Sequence, residues 1–360
     1  MIAANRPVQR PASARLLVID ADGRIAHAPR ARWLDFLRRG DVVVANDAAT
    51  LPASLHGVHA RTGQRVEVRL AAWRPPDAGH RYAFDAVVFG AGDYRTRTEE
   101  RPSPPLLRPS DRLLLGPLHA VVRETLGHPR LVRLQFDMPH AQFFRGLAAH
   151  GHPIQYAHLR EPLAMWDTWT PIAAAPVAFE PPSAGFVLDW QALAAMRARG
   201  IGFATLTHAT GLSSTGDSAL DRRLPLDEPY RIAQSTAHLI AAARAHRSRV
   251  IAIGTSVVRA LEHAARHGGD VRAGDGIATQ RVGAHTSLRV VAGLVTGTHE
   301  PGSSHHELLR AFASDAVLSR AHTALDALHY RTHEFGDSML VWRRARDTIR
   351  AQPEWAAAAA

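Results

Sequence analysis

Two hydrophobic periods share this chain, and one layer of structure cannot satisfy both. Between residues 57 and 154 the apolar positions recur at every second residue: Val66, Val68 and Leu70 alternate with Glu67 and Arg69, and Val132, Leu134 and Phe136 alternate with Arg133 and Gln135. Period two sends successive side chains to opposite faces, so these runs predict half-buried strands. Tyr82 to Phe89 and Leu113 to Leu115 add short strands around the proline-rich stretch 101–117, and the sum predicts a small β-barrel.

From residue 155 to 345 strands alternate with helices. Gln191 to Arg199 reads as a helix, Phe203 to Leu206 as a strand and Ala237 to Ala245 as a helix; Val250 to Ile253 is a buried strand and Val257 to Arg266 a helix. Such alternation predicts an α/β class fold, a mostly parallel sheet flanked by helices. Near the N-terminus, Arg15 to Asp20 reads as a strand before an Asp22-Gly23 turn. An amphipathic run from Trp33 to Leu37 then leads into a strand at Val42 to Val44 that ends at Asn46-Asp47. The expected organisation is 1–56 as the N-terminal part of the α/β domain, 57–154 as an inserted β-barrel-like domain, 155–345 as the main α/β domain, and 346–360 as a tail.

Composition narrows the chemistry. With no cysteine in the chain, disulfides, thiolate metal sites and cysteine nucleophiles are excluded. No window approaches the roughly 18 consecutive apolar residues of a membrane helix, and the N-terminus lacks the apolar core of a secretory signal. A cytoplasmic protein with no membrane partner is expected. The formal charge of +10 suits a polyanion such as RNA, but all 43 basic residues are arginine, a bias that reads as coding drift as readily as a phosphate surface. No Walker loop, G-x-G-x-x-G fingerprint or G-x-S-x-G elbow is present, so the common nucleotide-fold and hydrolase readings lose their support.

Three segments carry candidate chemistry. The strand Val250 to Ile253 ends at Gly254, where Thr255 or Ser256 is expected to cap the next helix; an anion site or an ordinary capped βα unit both fit. Arg259 on that helix either serves a ligand or pairs with Glu262 one turn on. In the second segment, Ser304 and Glu307 have capping-box spacing, and upstream His299 and Glu300 form a titratable pair suited to proton transfer. His299, His305 and His306 match no zinc signature, and no metal is expected. The third segment, Tyr330 to Leu340, carries a Gly336-Asp337 turn before an apolar strand.

In order and spacing these segments resemble the S-adenosylmethionine:tRNA ribosyltransferase-isomerase family of queuosine biosynthesis. Arg15-Leu16-Leu17-Val18 is similar to the family's R-L-L-V, and Gly40 to Asp47 to its G-D-L-L-V-x-N-D. Leu51 to Gly57 is similar to I-P-A-R-L-x-G, and Ala252 to Glu262 to A-V-G-T-T-S-V-R-T-L-E. His299, Pro301 and Ser303 fall on H-x-P-x-S, while Tyr330-Arg331 and Phe335 to Leu340 are similar to Y-R-F-F-S-[FY]-G-D-A-M-L. There are departures. Phe186 stands where the family has histidine, His208 is displaced by one place, Ala49 replaces an arginine, and Leu224 to Glu228 does not match M-H-x-E.

The resemblance implies an α/β domain with an inserted barrel and an enzyme with S-adenosylmethionine as ribosyl-donating co-substrate and tRNA as partner. The implied reaction moves the ribosyl part onto 7-aminomethyl-7-deazaguanine in tRNA and rearranges it to epoxyqueuosine. On that footing His299 is expected as an acid/base and Asp337 as a carboxylate near the sulfonium or the substrate amine. Gly254, Thr255, Ser256 and Arg259 are expected on the co-substrate, and Asn46, Asp47, Ser303, Tyr330 and Arg331 on the substrate. The departures leave two alternatives open: a paralogue acting on a non-tRNA small-molecule acceptor, and a non-catalytic RNA-binding relic.

Overall fold

In the computed structural model, which describes residues 1–74 and 82–344, nine strands form one sheet. The tail expected at 346–360 lies outside the described residues. Across the sheet the order is Gly274–Ala278, Glu228–Ile232, Gly202–His208, Val42–Asn46, Val250–Ile253, Val291–Gly297, Ser338–Trp342, Arg15–Ile19 and Ile25–Pro29. The four consecutive strands from Gly202–His208 to Val291–Gly297 run parallel, as the strand–helix alternation predicts. Both flanks are largely antiparallel. At one outer edge the connection is too short for a crossover helix: the Asp22-Gly23 turn, with Gly23 at φ +80°, folds Ile25–Pro29 straight back on Arg15–Ile19.

Strands Val42–Asn46 and Val250–Ile253 are buried at every residue because both of their faces are covered. Val42 and Val44 point to one side, into a core shared with Ile240 of helix Gln234–Ala245 and with Val257 and Leu261 of helix Thr255–Ala264. Val43 and Ala45 point to the other, against Trp33, Leu188 and Met196. The Trp33 run is a short 3₁₀ helix, Arg30–Phe36.

A closed six-stranded antiparallel barrel interrupts this body, its strands running from Ser54–His59, ahead of residue 57, to Leu131–Phe136. The alternating residues Val66, Val68, Leu70, Leu134 and Phe136 fill its interior, and Phe143 and Leu147 of helix His140–His150 close over it. On the opposite, outer face of the strand that carries Val66 and Val68, Glu67 is buried between Arg69 and Arg101; burial raises its carboxyl, but the two guanidiniums prevail and hold it at about 2. Residues 152–163 then lead back along the barrel to the sheet.

Candidate active site at the carboxyl edge of the sheet

Asn46, His208, Gly254 and Gly297 end or follow the four parallel strands, so they share the edge where open α/β sheets place their ligands. Gly254 turns at φ +95° and is itself the N-cap of helix Thr255–Ala264; no side chain caps that helix, correcting the expectation for Thr255 or Ser256. Ser256 instead accepts weakly from Asn46 Nδ2 at 3.4 Å, and Thr255 stays partly exposed. The helix thus starts with backbone donors unclaimed by any side chain, facing Ala184 of the short helix Ser183–Val187.

Beside this start lies a buried polar hub. Asn46 donates to the His208 carbonyl at 2.9 Å and accepts from the His208 amide at 2.9 Å. His208 sets Nδ1 against the Ser256 carbonyl at 2.7 Å and Nε2 against Glu228 at 2.8 Å. Burial raises the Glu228 carboxyl, but Arg259 and His208 outweigh it and hold it at about 2. The displaced histidine has changed faces of its strand, since alternate residues point opposite ways. The neighbouring Thr207 joins Thr205 in donating to Asp47.

Across the edge three rings form a ladder, each with a carboxylate. Tyr156 stacks on His158 at 6.1 Å between centroids, and His158 on His333 at 4.1 Å, nearly parallel. Tyr156 donates to Glu180, His158 meets Glu334 at 3.2 Å, and His333 lies 3.9 Å from Glu300. Burial is the larger cause that lifts the Glu180 carboxyl to about 7, with the Glu334 charge adding to it against the hydrogen bonds of Ser213 and Tyr156. Glu334 goes the other way: burial is outweighed by His158 and His333, and its carboxyl is lowered. His299 joins Thr296 Oγ1 at 2.6 Å and stacks on His305 at 4.9 Å. Burial, then His305, His306, His333 and His322, push it well below the ordinary imidazole range, leaving a neutral ring at pH 7.

The structure separates the residues expected from sequence. Asn46, Gly254, Thr255, Ser256 and His299 gather at the carboxyl edge. Arg259 is buried, paired with Glu228 and donating to the Ala278 carbonyl at 2.9 Å, so it is not open to a ligand. Its alternative partner Glu262 instead accepts from the amides of Arg289, Val290 and Val291. Asp337 is buried one strand over, accepting from the Arg15 amide at 2.7 Å, the Arg15 guanidinium at 3.0 Å and the Arg331 amide at 2.8 Å. Tyr330 is buried beneath Arg15, with its hydroxyl 2.7 Å from His27, and Arg331 is exposed. Ser303, not Ser304, caps helix Ser304–Leu309 by accepting from the His306 amide at 3.1 Å; Glu307 pairs with Arg310 instead of closing a box.

Sequence reasoning missed Tyr156, His158, Glu180, Glu228 and Glu334. Phe186, standing where the family's histidine would be, stacks on Phe335 at 5.5 Å in an apolar cluster with Leu159. Among the described residues no group of three or more histidines, aspartates or glutamates is placed to hold a metal, and no helix is long and apolar enough to cross a membrane.

An α/β sheet interrupted by a closed barrel, with an acid–histidine cluster at the strands' carboxyl ends, defines the class. The family described as queuosine biosynthesis protein matches residues 1–341, and this chain belongs to it. An S-adenosylmethionine:tRNA ribosyltransferase-isomerase of Sorangium cellulosum is 33% identical, with 94% of each chain covered. The enzyme of that name from Azoarcus is 31% identical, again with 94% of each covered. A crystal structure of an S-adenosylmethionine tRNA ribosyltransferase from Thermotoga maritima matches at 21% identity and a TM-score of 0.49, covering 94% of this chain and 96% of that one.

Proposed function

We propose that this chain is a cytoplasmic enzyme that transfers the ribosyl part of S-adenosylmethionine to 7-aminomethyl-7-deazaguanine in tRNA and isomerises it, releasing adenine and methionine. Family membership and the activity named for the relatives support the reading. The observation that carries it is geometric: the Tyr156–His158–His333 ladder brings Glu180, Glu334 and Glu300 together at the edge that also holds the stacked pair His299 and His305. The reaction needs a base for the proton on the carbon beside sulfur, an acid for the departing adenine, and an anion near the sulfonium.

His299, neutral at pH 7, takes the base role. Glu180, with its carboxyl near 7, keeps a proton to donate. Glu334, ionised beside His158, supplies the anion, a role that Asp337 leaves vacant by its commitment to Arg15. The helix start at Gly254, Thr255 and Ser256 receives the methionine carboxylate, as helix N-termini favour anions. His299→Ala should lower adenine release about 10²- to 10⁴-fold with the fold intact by circular dichroism. Unchanged turnover would remove His299 from the chemistry.

A second reading keeps the donor chemistry and changes the acceptor to a small molecule. Phe186 favours it, because the apolar stack on Phe335 offers no polar group where the family's histidine would stand. Adenine release that needs no tRNA would select this reading.

A further inference from the structure

On the outer side of the barrel, where residues 152–163 pass it, lies a cavity of about 600 Å³ that the chemistry above does not use. It shares Gln155 and Leu163 with the small pocket beneath Glu180, Glu334 and Phe335, so it adjoins the candidate active site. Its size falls within the range of small-ligand sites.

The lining has unmet needs. His56 Nε2 and Tyr94 Oη are shielded from solvent yet have no hydrogen-bond partner among the described residues. Glu67 Oε2 is 3.9 Å from His56 Nε2, beyond hydrogen-bond reach. A buried polar atom without a partner is costly, and a ligand that supplies one relieves that cost. Both carboxylates of the lining are already engaged, Glu67 by Arg69 and Arg101 and Asp93 by Arg95, which leaves Arg65 with no ion pair among the described residues. Flat groups complete it: Arg95 lies 4.7 Å over the Tyr94 ring, and His56 meets the His152 ring edge-on at 6.1 Å.

We propose that this barrel-side cavity binds one nucleotide of the RNA next to the modified base, with its ring among Tyr94, His56 and His152 and its phosphate on Arg65 and Arg95. Aromatic rings paired with arginine are the means by which proteins hold unpaired nucleotides, and an arginine fork fits a phosphate. The assignment rests on the tRNA reading above for the source of the nucleotide, and on the cavity alone for its chemistry. With both lining carboxylates held by arginines, the cavity has no free anion among the described residues for the sulfonium of the donor.

The test uses the full chain with a labelled anticodon stem-loop, guanosine monophosphate as free nucleotide, and S-adenosylmethionine. Arg65→Ala and Tyr94→Ala should each weaken stem-loop binding about ten-fold while leaving the KM for S-adenosylmethionine unchanged. Arg65→Ala should also reduce the slope of log affinity against log salt by about one, a change that a merely structural effect does not produce. Melting curves confirm folding, and Tyr94→Phe, which keeps the ring, should retain most of the affinity. If the parent ignores the stem-loop but binds guanosine monophosphate in an Arg65-dependent way, the nucleotide site stands and the tRNA reading falls. Folded variants that bind the stem-loop like the parent, a parent that binds neither probe, or a rise confined to the KM for S-adenosylmethionine would each overturn the proposal.

Discussion

Glu180 and Glu228 are both buried carboxylates, and their neighbours drive them in opposite directions. Glu228 is held at about 2, below the ordinary 4.5, so its stabilisation is full above pH 4.5 and is lost as pH falls toward 2. Glu180 is raised to about 7, so its contribution is full below pH 4.5 and is lost as pH rises through 7. Glu180→Gln should therefore flatten the decline in stability between about pH 5 and 8, followed by urea unfolding. The same variant should remove an alkaline limb near pH 7 from the kcat/KM profile; a limb that survives assigns the acid to another group. Glu228→Ala leaves Arg259 buried and unpaired and should cost about 3–5 kcal/mol in the same assay. Neither carboxylate was legible in the sequence. Each is defined by remote partners, Tyr156 and Ser213 for one and His208 and Arg259 for the other, and no local period or motif marks such a convergence.

At the scale of elements, the apolar pattern placed strand Val250–Ile253 and helices Trp190–Ala198 and Gln234–Ala245 closely, because four buried residues in a row or a helical stripe leave little choice. The caps were less legible. Ser303 and Ser304 are chemically identical, and only the extended backbone of Ser303, with ψ 154°, selects it. Ser303→Ala should destabilise by about 1 kcal/mol, whereas Ser304→Ala should change little. At Gly254 the positive φ sets the start of the helix, while an added Cβ would meet Ala184 at an ordinary 3.5 Å. Gly254→Ala should thus cost about 1–3 kcal/mol through backbone strain alone, read as a lower denaturant midpoint with the same m-value.

For the whole molecule, the change of hydrophobic period carried both the inserted barrel and the parallel centre of the sheet. It could not show which loops meet at the carboxyl edge of the sheet, since Tyr156, Glu180, His299 and Glu334 come from four distant stretches of chain. This edge, together with a net charge of +10, is the surface proposed to meet tRNA. Affinity for tRNA should fall steeply with rising salt, with a slope proportional to the phosphates neutralised. The most direct measurement is adenine and methionine release, followed by mass spectrometry, from purified protein with S-adenosylmethionine and either unmodified tRNA or tRNA bearing 7-aminomethyl-7-deazaguanine. Release is expected only with the modified tRNA; equal release without tRNA, or none with it, would contradict the proposed activity.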